Sequence, residues 1–171
     1  CGMGEEVAEP IVKLMIALKI KSLAYGNSGV QLQTVQRFVD MYNHNVLPVI
    51  FTQGSLGASG DLAPLSHLAL PLIAEGVVKV DGSIIAAAKA LQHLGWQPIN
   101  LQSKEGLALI NGTQFMSAYG CYILIHATKL AKWANTIAAI SFDAFDCSTE
   151  PLNEFIHLVR SHKGQLSAAA E

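Results

Sequence analysis

The segment from Thr113 to about Phe145 constrains the fold most, because its helical pattern is apolar on nearly every side. A helix that lacks a polar face belongs at the centre of a bundle, where other helices cover all of its sides. Charged residues make up only 14% of the chain, against roughly 25% in typical soluble domains, which fits extensive burial within the chain or between subunits. The sequence therefore predicts a mainly α protein whose central helical bundle starts at about residue 111.

Helical spacing of apolar residues also predicts shorter helices elsewhere in the chain. These predicted helices are Glu5–Tyr25, Val30–Asn45, Asp61–Glu75, Ala86–Leu94 and Pro151–Val159, and the final "GQLSAAAE" reads as the start of another. Asp81-Gly82, flanked by β-branched residues, predicts one small β-hairpin. The expected architecture is a fragment of a helical bundle with a long central helix and one small β-hairpin.

Charge and composition argue against several classes of partner. The net charge of −2 provides no basic surface for nucleic acid or anionic membranes. The longest apolar stretches contain His and Pro and fall short of the ~20 residues that a membrane span requires. Three cysteines lie far apart without a CxxC pair, as is typical of a reduced, cytoplasmic protein. Because the spacing of a metal site is also missing, we expect no metal.

The two ends of the sequence predict an internal piece of a longer chain. It begins with Cys-Gly-Met-Gly, has no signal segment, and ends where a helix begins. No linker or repeat divides it, so residues 1–171 are expected to form a single fragment.

The glycine-rich stretch "TQGSLGASGDLAPLSHLAL", Thr52 to Leu70, precedes one of the predicted helices and is compatible with three chemistries. A phosphate-binding loop would require a different glycine spacing or a terminal Gly-Lys, and Asp61 would place a carboxylate where the anion binds. A serine nucleophile would require Gly two residues after Ser59, where Asp61 stands, as well as a parallel sheet.

The third chemistry is a reaction of the backbone with itself. If the turn is compressed, the amide nitrogen of Gly60 can attack the carbonyl carbon of Ala58, and loss of water closes a five-membered ring. Ser59 then loses its hydroxyl as a second water, which leaves an exocyclic methylidene. Glycine suits position 60 because it tolerates unusual backbone angles and leaves its nitrogen unobstructed.

Two motifs resemble the aromatic amino-acid ammonia-lyase family: "GSLGASGDLAPLSHLAL" and "KEGLALINGTQ", the latter from Lys104 to Gln114. "SLAYGNSGV" and "SHKGQLSAAA" also look like family segments and stand in the family's order. The resemblance implies that Ala58, Ser59 and Gly60, within a loop at residues 52–61, form a methylidene-imidazolone prosthetic group. It implies neither a metal nor a diffusible cofactor.

The resemblance also implies roles for three neighbouring residues. Asp61 would shape the loop during cyclisation, although it could simply cap the helix that follows. Asn111 matches the family asparagine that lies against the prosthetic group and the substrate; the alternative is a turn residue that caps the long helix. Gln114, one helical turn further on, is the remaining candidate for this environment.

For the activity, the resemblance implies a carbon-nitrogen lyase that eliminates ammonia from an aromatic amino acid. "KEGLALINGTQ" looks more like the histidine enzymes than the phenylalanine ones, so the expected reaction converts L-histidine to trans-urocanate. The alternatives are a tyrosine or phenylalanine ammonia-lyase, an aminomutase, and a non-catalytic helical module for interaction or oligomerisation. Family members are homotetramers with sites shared between subunits, and their substrate-ring selectors match no part of this chain. The fragment alone is therefore expected to be inactive and to self-associate.

Overall fold

The computed structural model describes residues 2–54, 60–160 and 162–171 and is mainly α. The helices are α1 (Glu9–Ala24), α2 (Leu32–Asn43), α3 (Leu62–Ala69), α4 (Ala87–His93), α5 (Glu105–Ile110), α6 (Gln114–Ala144), α7 (Glu154–Leu158) and α8 (Lys163–Ala170). The predicted long helix is confirmed as α6.

Two of the predicted helices each consist of an α-helix and a separate 3-10 turn. After α3 the chain continues as a 3-10 turn over Leu70–Ile73, in which Pro71 lacks the amide hydrogen that an α-helix would use. Near the end of the chain, a 3-10 turn over Glu150–Leu152 is separated from α7 by Asn153. The Asn153 side chain caps α7 by accepting a hydrogen bond from the amide of Phe155 at 3.0 Å.

The predicted hairpin is confirmed as β4 (Val77–Val80) and β5 (Ser83–Ala86). Its turn has positive φ at both Asp81 and Gly82, which suits a two-residue hairpin. The hairpin is not the whole sheet, because β2 (Leu47–Pro48) pairs antiparallel with β4.

A second small sheet joins β1 (Met3–Glu6) to β3 (Phe51–Gln53), and the sequence did not predict it. Glu5 and Glu6 belong to β1, so the predicted helical start at Glu5 is wrong. The helix begins at Glu9 instead, with Pro10 in its first turn, where a missing amide hydrogen costs nothing.

The chain divides into two compact units, Cys1–Tyr122 and Ile123–Glu171. In the first, α1 packs on α2, α3 packs on α5, and the strands lie beside them. The centre of this unit is a cluster of buried apolar side chains that includes Met15, Ile16, Phe38, Ile50, Leu65, Leu68, Leu72 and Leu109. This core holds the end of α5 and the start of α3, the two elements that carry the candidate site.

The second unit contains most of α6 together with α7 and α8. Its apolar side chains are largely exposed in the single chain: Ile123 is 62% exposed, Leu130 68% and Trp133 56%. The sequence predicts that α6 is buried on all sides, but the second unit by itself does not bury these side chains. Among the described residues, no helix combines the length and apolarity needed to cross a membrane.

Candidate active site

The two motifs singled out in the sequence meet at a pair of glycines. Gly60 and Gly112 form a single parallel β-bridge although 52 positions separate them in the chain. Gly60 has φ of +89°, and a Cβ at this position would overlap the carbonyl oxygen of Gly112. Glycine is therefore required here for two reasons, the backbone angle and the close approach.

Asp61 attaches the loop to both sides of the turn that follows Asn111. Its amide donates a 2.8 Å hydrogen bond to the carbonyl oxygen of Gly112. Its buried carboxylate accepts a 3.0 Å hydrogen bond from the amide of Met116, in the first turn of α6. Within the described part of the chain, the Asp61 side chain makes no capping hydrogen bond to α3, which does not support the alternative that Asp61 simply caps its own helix. The carboxylate caps the neighbouring long helix instead.

Asn111 and Gln114 lie on either side of the same turn. Asn111 ends α5, donates its amide hydrogen to the carbonyl oxygen of Leu107 at 2.9 Å, and has an exposed side chain. Gln114 begins α6, and its side-chain amide lies against Gly112. The Oε1 atom of Gln114 is buried without a hydrogen-bond partner among the described residues, so this oxygen could accept from a group that binds here.

The structure thus brings together four of the six predicted site residues: Gly60, Asp61, Asn111 and Gln114. The other two, Ala58 and Ser59, lie outside the described residues. At Gly60, the described end of the tripeptide, even a methyl side chain would meet the Gly112 carbonyl, so the contact there is made by backbone alone. Among the described residues, no cluster of three His, Cys, Asp or Glu side chains is arranged to hold a metal ion.

Lys19 is a nearby residue that the sequence analysis missed. It is only 1% exposed, and its Nζ donates to the carbonyl oxygens of Ala108 at 2.8 Å and Asn111 at 3.4 Å. Burial lowers the pKa of Lys19 to about 8, since desolvation disfavours the charged amine. A signal was present in the sequence: Lys19 stands four residues after Met15 and four before Leu23, on the apolar face of α1.

Glu105 is a second buried charged residue that the sequence analysis missed. Its carboxylate accepts hydrogen bonds from the Gln102 amide at 2.7 Å, the Gln31 amide at 2.7 Å and the Thr34 hydroxyl at 2.8 Å, and a further one from the Gln31 side chain. Burial acts to raise the pKa of Glu105, but these hydrogen bonds outweigh it and hold the pKa below its ordinary value. Glu105 thereby joins the start of α5 to the start of α2.

Comparisons with known proteins identify the family of the chain. The family model described as aromatic amino acid lyase matches residues 1–171. Histidine ammonia-lyase of Bradyrhizobium diazoefficiens is 46% identical over 170 residues, which cover 99% of this chain and 33% of that protein. The enzyme of the same name from Shouchella clausii is 44% identical over 170 residues, with 99% and 34% covered.

Solved structures match with the same coverage. Histidine ammonia-lyase from Trypanosoma cruzi has a TM-score of 0.91 at 42% identity, with 99% of this chain and 33% of that chain covered. Tyrosine aminomutase from Streptomyces globisporus has a TM-score of 0.93 at 38% identity, with 99% and 32% covered. The chain spans about a third of the length of the relatives that it matches. Since the family model covers the chain from end to end, the protein belongs to the aromatic amino acid lyase family.

Proposed function

We propose that this chain carries the electrophilic loop of an ammonia-lyase that converts L-histidine to trans-urocanate and ammonia. The observation that supports this most is the direct backbone contact between the end of the Ala58-Ser59-Gly60 motif and the Asn111–Gly112 turn. Two motifs that are remote in sequence are held together at Gly60 and Gly112, and Gly60 has no room for a side chain.

In this proposal, Ala58, Ser59 and Gly60 are the source of a methylidene-imidazolone, which supplies an electrophile for the substrate. Gly60 contributes an unobstructed amide nitrogen and a backbone angle that other residues rarely adopt. Asp61 holds the carboxyl side of the tripeptide by donating to Gly112 and accepting from Met116. Asn111 presents an exposed side-chain amide at the same turn, where it can hydrogen-bond the substrate or the ring.

The start of α6 is suited to stabilise negative charge. A helix N-terminus carries a partial positive charge, and its first amides lack partners within the helix. The Met116 amide already donates to the Asp61 carboxylate. The partial positive charge at the start of α6 therefore binds this carboxylate, and the hydrogen bond orients the loop. Removal of the substrate's β-proton requires a base, and we propose that this base belongs to the part of the complete enzyme that the present chain does not span.

Histidine is the proposed substrate because the relatives that match at 41–46% identity are histidine ammonia-lyases. The tyrosine aminomutase match supports a second candidate, an enzyme that moves the amine instead of releasing it. Following the ultraviolet absorbance of each unsaturated product, together with free ammonia, for histidine, tyrosine and phenylalanine separates these candidates. Equal rates with all three would contradict the histidine assignment, and a β-amino acid product without free ammonia would favour the aminomutase.

We further propose that the active protein is a cytoplasmic homotetramer. Exposed apolar side chains along α6 in the second unit provide a surface for other subunits. Cys121 and Cys147 are free thiols, which fits a reducing compartment.

The intact mass of the protein made from the complete reading frame tests whether the tripeptide cyclises, which is the first step of the proposal. Cyclisation removes two waters per chain, which a non-catalytic helical module would retain. A peptide map should locate the loss to the fragment that contains residues 58–60, and treatment with a small nucleophile should abolish turnover. An unmodified mass would refute the lyase proposal in favour of the helical module.

A further inference from the structure

Lys19 stands out among the charged residues because it is fully buried and its hydrogen-bond partners are backbone carbonyls. Both acceptors, Ala108 and Asn111, belong to the end of α5. The neighbours of Lys19 on the same face of α1, Met15, Ile16 and Leu23, are apolar and buried. A methionine or leucine would fill this position without removing a charge from water, so hydrophobic packing does not explain the lysine.

The acceptors explain the lysine better. The last carbonyls of a helix lack amide partners within the helix and carry a partial negative charge. The Lys19 ammonium supplies hydrogen bonds and an opposite charge at this end, at the point where α5 gives way to the turn. It therefore ties α1 to the terminal carbonyls of α5.

The same turn holds the proposed reactive loop. Asn111 is followed directly by Gly112, whose carbonyl accepts the amide hydrogen of Asp61 and whose backbone pairs with Gly60. A displacement of the end of α5 would be passed to Gly60 through this contact, because the close approach leaves no space to absorb it.

We propose that Lys19 is a positioning residue that holds the Asn111–Gly112 turn in place, so that Gly112 stays against Gly60 while the tripeptide cyclises. This inference rests on the proposed function. Lys19 acts through the turn and does not itself contact the reacting atoms.

The test compares four variants of the protein from the complete reading frame. Lys19→Met removes the charge and the donors with little loss of volume, and Lys19→Arg restores both. Lys21→Met removes an exposed lysine of the same helix. Leu23→Ala destabilises the same buried face without any hydrogen bond to α5.

The readout is the fraction of folded chains that have lost two waters, measured by intact mass and by the absorbance of the ring. In Lys19→Met this fraction, or the rate at which it appears in newly synthesised chains, should fall at least about tenfold, since a hydrogen bond from a charged donor is worth about 1.5–3 kcal/mol. Lys19→Arg should recover most of the loss, and Lys21→Met should match the unmodified protein. Leu23→Ala should lower the melting temperature but cyclise fully in the folded fraction.

Wild-type cyclisation in folded Lys19→Met would overturn the inference. So would an equal loss in Leu23→Ala of matched stability, because Lys19 would then be an ordinary core residue. If Lys19→Met does not fold, Lys19→Leu, which also lacks the charge and the donors, takes its place, and a folded Leu variant that cyclises as completely as the Lys and Arg proteins overturns the inference equally.

The wild-type protein separates this inference from the proposed function. If wild-type chains retain both waters, the proposed function fails and the role of Lys19 fails with it. If wild-type and Lys19→Met chains both lose them, the function stands and only the role of Lys19 is refuted.

Discussion

At the scale of single residues, the site depends on what is missing from Gly60 and Gly112. Neither has a side chain, and the carbonyl of Gly112 occupies the space that a Cβ at Gly60 would need. The two backbones can approach this closely only because position 60 is a glycine. The contact therefore tolerates no substitution at Gly60, however small the new side chain.

Gly60→Ala should reduce cyclisation, measured as the loss of two waters, by at least about tenfold, because relieving the overlap costs at least about 1.4 kcal/mol. Gly26→Ala is the matched control. Gly26 also has positive φ, +77°, but no atom lies within 4 Å of its added Cβ, so it should lose only about 1 kcal/mol of stability and cyclise normally. Equal cyclisation in the two variants would show that the close approach is unimportant.

At the scale of elements, α6 is capped by a residue from another helix. The Asp61 carboxylate bonds to the Met116 amide 55 positions later, and this hydrogen bond joins the starts of α3 and α6. One side chain therefore fixes both the loop and the first turn of the long helix.

Asp61→Ala should loosen the first turn of α6, because loss of a cap costs about 1 kcal/mol, equivalent to about fivefold faster local opening. Hydrogen exchange of a peptide over residues 114–118 measures this opening. The first turn of α2, which the hydrogen bond between Asp61 and Met116 does not join, serves as the internal reference and should exchange as before. Unchanged exchange at 114–118 would contradict the cap.

A second element-scale connection depends on pH. Glu105 joins α5 to α2 through its charged carboxylate, and its pKa is below the ordinary 4.5 in the folded state. Between the folded and unfolded pKa values the unfolded chain binds more protons, so stability rises with pH there. The contribution is complete above about pH 4.5 and disappears as the pH falls through the folded pKa.

Glu105→Gln should lower stability at pH 7 by about 2–3 kcal/mol, because an amide nitrogen would face donors that now meet a carboxylate. The melting-temperature difference between wild type and variant should narrow as the pH falls from 6 to 3. A difference that stays constant over this range would show that the charge of Glu105 does not stabilise the fold.

At the scale of the whole molecule, the second unit has more apolar surface than a monomer usually leaves exposed. Ile137 and Ile140 are 57% and 62% exposed, as are many of their neighbours along α6. Large apolar patches on soluble proteins mark surfaces that bind other chains.

The 171-residue chain, produced alone, should therefore self-associate or aggregate and show little or no turnover of histidine. Light scattering after size-exclusion chromatography measures the first property and ultraviolet absorbance the second. A monodisperse monomer with full turnover would contradict both expectations.

The sequence predicts what local spacing encodes. Apolar periodicity located α6 to within one residue at each end, and Asp81-Gly82 located the hairpin, because both signals lie within a single element. The pairing of β1 with β3 was missed because the two strands are more than forty residues apart. The partners of Asp61 and Lys19 were missed for the same reason, since spacing cannot reveal a contact made across the fold.

The bond from Asp61 to Met116 also has a consequence for biosynthesis. Chains are made from the amino end, so the Ala-Ser-Gly tripeptide leaves the ribosome well before the residues that hold it, Gly112 and Met116. The nascent loop therefore stays, on our proposal, an ordinary peptide until that later stretch has emerged and docked. On our proposal, an arrested translation product that stops before residue 111 should be chemically inert, and the protein matures only after it has folded.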